Sequence, residues 1–184
     1  MATTTKDLDA TPKRRTPAKK TTAKKAAPAP KAETPLKKLP PNPFMSEILD
    51  LASKQRTNAK KVEVLKTYST DALKAILIWN FDESVISLLP EGEVPYEKND
   101  VPIGTDHTSL RKEWKNLYHF IKGGNDSLSA LRRESMFIQM LEGLHPQEAD
   151  ILCLVKDKNL ERLYKVPFSV VEEAFPDIQW GGRS

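Results

Sequence analysis

The sequence predicts an all-α fold: a small helical bundle of about six or seven helices over residues 42–184, with one long Pro/Gly loop, behind a disordered basic arm over residues 1–41. Three observations predict it. Apolar residues recur at intervals of three and four along most of the body, which is the period of a helix face. No apolar/polar alternation persists long enough for a strand. The first forty-four residues hold eight of the fourteen prolines and contain no Ile, Val, Trp or Tyr.

Charge divides the chain at the same place. Eleven Lys or Arg against three acids give residues 1–44 a formal charge of +8, and because the whole chain carries +4, residues 45–184 carry −4. Within the arm the cations come in pairs separated by Ala, Thr or Pro, as in Pro12-Lys13-Arg14-Arg15, Pro17-Ala18-Lys19-Lys20 and Thr22-Ala23-Lys24-Lys25. With almost nothing apolar to bury, such a segment cannot offset a conformational entropy cost of about 1–2 kcal/mol per residue. An extended arm follows, reaching about 3.1 Å per residue where proline dominates. The same prolines argue against the amphipathic helix of an organelle-targeting presequence.

The body has a length that suits one domain, able to bury roughly two-thirds of the surface its unfolded chain exposes. Asn42-Pro43 offers a helix cap and a first-position proline, followed by Phe44, Ile48, Leu51 and Ala52 at helical spacing. A second helix is expected from Thr57 to Tyr68 with Val62 and Leu65 inward. Ser69 or Thr70 caps a third, carrying Leu73, Ile76, Leu77 and Trp79. From Leu89 to Asp106 the pattern gives way to turn chemistry, Pro90-Glu91-Gly92-Glu93-Val94-Pro95 and Asn99-Asp100-Val101-Pro102-Ile103-Gly104, read as a loop pinned by Val94, Tyr96 and Ile103. Leu110, Trp114, Leu117 and Ile121 then form a helix stripe that ends at Gly123-Gly124. Asp126 or Ser127 starts the next helix, through Leu128, Leu131, Phe137, Ile138 and Leu141. His145-Pro146 opens another that continues toward Leu163, with Glu148 and Asp150 in its first turn. A last short helix lies near Phe168–Phe175, before a Gly-rich tail that contains Trp180.

Little in this pattern suggests catalysis, and no catalytic residue is assigned. The three histidines, 107, 119 and 145, sit on different elements, and the single cysteine, Cys153, lies in an apolar run, so neither a zinc site nor an internal disulfide is expected. No metal and no cofactor are expected. Asp106-His107 lacks a nucleophile elbow, and Lys122-Gly123-Gly124-Asn125 lacks the spacing of a phosphate-binding loop, so both read as helix-joining turns. The absence of a long apolar run predicts no membrane partner, and the chain reads as soluble and intracellular.

Cations are the better candidates. Lys13, Arg14, Arg15, Lys19, Lys20, Lys24, Lys25, Lys31, Lys37 and Lys38 are expected to contact the phosphates of nucleic acid without sequence preference, although such runs also serve as solubilising tails. Arg111, Lys115, Lys122, Arg132 and Arg133 form either a secondary phosphate-contacting patch or a solvated face of mixed charge, since Glu113 and Glu134 interrupt them.

The segments Ile78-Trp79-Asn80-Phe81-Asp82, Leu89–Tyr96, Gly104–Thr108, Leu117–Asn125 and Met136–His145 together resemble a family of small uncharacterised proteins of T4-like tailed bacteriophages, notably those infecting marine cyanobacteria. The resemblance covers about Asn42 to Ser184 and leaves out the arm. It implies a phage product in the cytoplasm of an infected bacterium and carries over no activity or site. Composition alone relates the arm to the Lys/Ala/Pro-rich tails of linker histones and bacterial histone-like proteins. The leading expectation is a non-enzymatic phage protein with a helical interaction domain, a phage or host protein partner, and a nucleic-acid-binding arm. A virion or assembly component whose arm touches acidic protein surfaces or packaged genome is a second. An enzyme using Asp106, His107 or the double-glycine turn is a third.

Overall fold

The computed structural model describes residues 38–102 and 107–183. Among the described residues there are seven α-helices and two 3-10 segments, and no sheet, only the isolated bridges Ser87–Ile121 and Thr108–Leu144. The all-α fold therefore holds. Lys13 to Lys37 of the predicted arm, and Ile103 and Asp106 of the loop, lie outside the described residues.

Local capping sets the starts of α2 (Asn58–Thr67) and α3 (Asp71–Phe81). The Thr57 side chain accepts the Lys60 amide at 3.4 Å, and Thr70 accepts that of Leu73 at 3.2 Å, as Thr at an N-cap is suited to do. α1 (Met45–Ser53) begins two residues later than a cap at Asn42 predicts. Its entry is held by a reciprocal contact, the Phe44 amide donating to Glu47 Oε2 at 2.9 Å, while the buried Pro43 gives its carbonyl to Arg111 Nη2 at 3.2 Å.

The single helix expected over 110–121 divides. One α-turn, α4 (Leu110–Glu113), tightens into a 3-10 helix at Trp114–Phe120. At its end the Phe120 carbonyl accepts from the Leu88 amide at 2.8 Å, and the Lys122 amide donates to the Ile86 carbonyl at 2.9 Å. Those partners belong to the segment after α3, so the chain is drawn out of helical geometry to close the bridge at Ser87–Ile121.

α5 (Ala130–Gly143) starts later than Asp126 or Ser127 would place it, because both side chains are engaged in the turn: Asp126 accepts the Gly123 amide and Ser127 donates to Asn125. α6 (Pro146–Lys156) has proline at its first position and stops before Leu163. The stop is Lys158, at φ 55°, with the Asn159 amide returning to the Leu154 carbonyl at 2.8 Å. A 3-10 turn, Leu160–Arg162, leads to α7 (Phe168–Ala174).

The core lies where α1 meets α2 and α6, α2 meets α7, and α3 meets α6. Trp79 of α3 stacks on Phe120 with centroids 6.3 Å apart, and Phe120 meets Phe137 of α5 edge-on at 5.1 Å, joining three elements through aromatic contacts. Val94 and Tyr96 pin the long loop to this core, as their apolar character predicts. Leu131, expected inward, is 77% exposed.

Candidate functional site

The predicted secondary patch does not act as one unit. Arg133 is a correction: it is buried, its Nε donating to the His119 carbonyl at 2.8 Å and its Nη2 to the carbonyls of Asn125 and Leu128, each at 3.0 Å. These bonds tie the double-glycine turn to α5 and leave Arg133 no role at an outside phosphate. Arg111 is half-buried and spends a donor on Pro43. Lys115, Lys122 and Arg132 are exposed, and their side chains have no hydrogen-bond or ion-pair partner among the described residues. Lys38, the described cation of the arm, is also exposed.

One of these cations, Lys115, lines a feature that the sequence did not disclose. A groove of about 260 Å³ runs between α3 and the 3-10 helix, with Ala75, Ile78 and Val85 on one side, Trp114, Leu117, Tyr118 and Ile121 on the other, and Lys115 and Arg183 at its margin. Tyr118 is 46% exposed because the tight 3-10 turn sends Leu117 and Phe120, three residues apart, inward and leaves Tyr118 facing outward.

A second cleft, about 600 Å³, is bounded by Phe81, Asp82, Lys158, Glu161, Phe168 and Trp180. Asp82 is the anchor there. Its buried carboxylate accepts the Ser84 hydroxyl at 2.6 Å, the Ser84 amide at 2.9 Å and the Gly181 amide at 3.1 Å, and it pairs with Arg183. Burial pushes this carboxyl up, but the hydrogen bonds from Ser84, Gly181 and Arg183 together outweigh burial and hold it below its ordinary value. Trp180 accordingly folds back against Phe168 with ring centroids 5.0 Å apart.

The catalytic alternatives occupy separate local networks. His107 Nε2 lies 2.6 Å from the Val101 carbonyl, and its ring meets His145 edge-on at 5.5 Å. Burial, and then His107, hold His145 below its ordinary value, which suits its ring nitrogen to accept the Gln147 amide as an N-cap. The double-glycine turn is bonded instead to Ile121 and Asp126. Cys153 has its thiol pushed up to about 11, by burial and then by Asp150, so it is protonated at neutral pH and a poor nucleophile. Among the described residues no group of three His, Cys, Asp or Glu side chains is arranged to hold a metal, and no helix is long and apolar enough to cross a membrane.

Comparison with known families gives a match over residues 48–162 to the model described as "Family of unknown function (DUF6433)". The chain belongs to this family. No curated protein and no solved structure matches the chain. The family segment runs from within α1 to the turn after α6. It therefore contains both walls of the Tyr118 groove and the Asp82 carboxylate, whereas the basic arm and the Arg183 tail lie outside it.

Proposed function

We propose that the protein is a non-enzymatic phage product of the infected bacterial cytoplasm, in which the helical domain binds a protein partner and the cationic arm binds nucleic acid without sequence preference. The observation that carries this reading is the division of charge, +8 in residues 1–44 against −4 in residues 45–184. Polyanions are attracted to the arm and repelled by the body, so affinity for nucleic acid belongs to the arm. Neutralised phosphates release condensed counterions, which makes such binding strong at low salt and indifferent to base sequence. The resemblance to proteins of T4-like phages supports the setting. An apolar groove with the unpaired Lys115 side chain among its lining residues supports a separate binding role for the body.

The test is a titration of labelled duplex DNA across a salt series. It compares the native chain with a full-length variant in which Lys13, Arg14, Arg15, Lys19, Lys20, Lys24, Lys25, Lys31, Lys37 and Lys38 become Gln. Each lost phosphate contact removes about 0.9 from the slope of log K against log salt, so the ten substitutions remove at most about 9. A steep slope in the native chain and a near-flat one in the variant are expected. Equal affinities at low salt would eliminate the role of the arm.

A further inference from the structure

We infer that the cleft between α1 and α6 is a binding site for a small aliphatic polyamine, a ligand distinct from the nucleic acid and the protein partner proposed above. Its volume is about 330 Å³, at the lower end of the roughly 300–1,000 Å³ of small-molecule sites. Glu47 and Asp50, neighbours one turn apart on α1, supply two carboxylates, and Asp150 of α6 supplies a third. Among the described residues, no Lys, Arg or His lines the cleft.

Each carboxylate keeps an unused acceptor. Glu47 gives one oxygen to the Phe44 amide at 2.9 Å, Asp50 one to Lys54 at 2.5 Å, and Asp150 one to both Lys98, at 3.0 Å, and the Tyr96 hydroxyl, at 3.2 Å. The other oxygen of each has no donor among the described residues. Lys54 and Lys98 are more than half exposed, and surface pairs of this kind contribute little, so they yield to a ligand that brings its own ammonium groups. Tyr164 adds a buried polar group aimed at the same space. It is 7% exposed, yet its hydroxyl has no hydrogen-bond partner among the described residues and is not sealed from solvent, so its oxygen opens onto the cleft. Burial, and then Asp50 and Asp150, push this hydroxyl up to about 12, which sets it in the field of the same carboxylates and keeps it neutral. Ser46, 2% exposed and also on the lining, has a hydroxyl with no partner.

The placement of these groups selects the ligand. Among the described residues no three acidic side chains are arranged to converge on one metal ion. The carboxylates are divided between two helices, which suits a cation that carries its charge at more than one place along a chain. A polyamine brings only N–H donors to the free carboxylate oxygens and the Tyr164 oxygen, and methylene groups to the Tyr164 ring and the exposed Leu163. The negative body, −4 over residues 45–184, raises the local concentration of such a cation. A Lys or Arg side chain from a protein is the competing cation, and the cleft suits it less, because its single charge engages one helix at a time.

Isothermal titration calorimetry with spermidine as the probe tests the assignment, on the full chain freed of nucleic acid, which would itself take up polyamine. One saturable site is expected, weakened at least ten-fold by Asp50→Asn and by Asp150→Asn, with the folding of each variant checked by circular dichroism. Tyr164→Phe removes a hydroxyl that makes no bond within the protein, so it should leave the thermal midpoint unchanged and still weaken spermidine at least three-fold. Glu172→Gln, an exposed acid of α7 that does not line the cleft, should leave binding unchanged. No saturable binding, an equal loss in Glu172→Gln, or affinity unmoved by Asp150→Asn and Tyr164→Phe would overturn the proposal. So would magnesium ions that displace spermidine at equal concentration, which would reduce it to an unspecific counterion. Nα-acetyl-lysine amide binding as tightly as spermidine would also overturn it, and would assign the cleft to a protein side chain.

Discussion

Glu148 Oε1 accepts the backbone amide of Met45 at 3.0 Å, across 103 residues of chain. Its second oxygen accepts the amide of Leu110 at 2.9 Å. One fully buried carboxylate on the first turn of α6 thus closes the N-termini of α1 and α4, whose first amides have no partner within their own helices. Glu148→Ala leaves two buried donors unpaired, at about 1–3 kcal/mol each. Glu148→Gln keeps one acceptor oxygen and turns an NH₂ group against the other amide, so its loss is smaller. Urea unfolding should rank native above Gln above Ala; equal midpoints would show that neither contact contributes.

The same group makes stability depend on pH. Burial pushes the Glu148 carboxyl above its ordinary 4.5, against the downward pull of the Leu110 and Met45 amides and of Arg111. A carboxyl raised in the folded state binds more protons folded than unfolded. Its contribution is therefore complete below 4.5 and is lost as pH rises through the folded value. Glu148→Gln does not titrate, so the difference in unfolding free energy between native and variant chains should narrow from about pH 4 to neutrality. A difference that widens would contradict the assignment.

Those contacts also explain which parts of the fold were legible. Thr57 and Thr70 cap helices through amides three residues ahead, so both starts can be read from neighbouring letters. The start of α1 cannot, because its amides are satisfied by Glu47 and, from far along the chain, Glu148. The 3-10 geometry of Trp114–Phe120 likewise depends on Ile86 and Leu88, and the end of α6 on a left-handed Lys158 where glycine or asparagine would have been the signal. The groove was hidden for the same reason: residues 75–85, 114–121 and 183 meet only in the folded chain. In the cationic patch the charges are plain from the letters, but the burial that withdraws Arg133 is not.

Adjacent glycines should respond differently to the same substitution. Gly123 has φ +79° and open space where a Cβ would stand, so Gly123→Ala meets only the left-handed penalty of about 1–2 kcal/mol. At Gly124 a Cβ would lie 1.9 Å from the Tyr118 carbonyl oxygen and 2.8 Å from its carbon, so the backbone itself must move. Thermal unfolding should therefore fall further for Gly124→Ala than for Gly123→Ala. The opposite order would refute this account of the turn.

Lys156 clips the long loop to α6. Its side chain is 1% exposed, and its Nζ donates to the Pro90 carbonyl at 2.7 Å, the Gly92 carbonyl at 3.0 Å and Asp157 Oδ1 at 2.5 Å. Lys156→Met preserves the apolar stem and deletes all three donors, which should cost about 1–3 kcal/mol in all, because Pro90 and Gly92 are exposed and water can take the place of the ammonium there. Amide hydrogen exchange should accelerate in residues 90–96 while α3 keeps its protection. Unchanged exchange in the loop would mean that Val94 and Tyr96 hold it without the clip.

Asp82 fastens the C-terminal tail in the same manner, with a carboxylate in place of an ammonium. Because its folded value is lowered from 3.8, its contribution is present above 3.8 and disappears as pH falls through the folded value. Asp82→Asn at neutral pH removes the charge that pairs Arg183 and leaves one oxygen to serve Ser84 and Gly181. The Gly181 amide should then exchange at least ten-fold faster, and the indole signal of Trp180 should shift as its contact with Phe168 loosens. Arg183→Ala, which removes one donor of the set, should have a smaller effect, because the Ser84 and Gly181 bonds to Asp82 remain. If Gly181 exchange is unchanged in Asp82→Asn, the tail is held by apolar burial of Ile178 and Trp180, and the carboxylate does not act as its anchor.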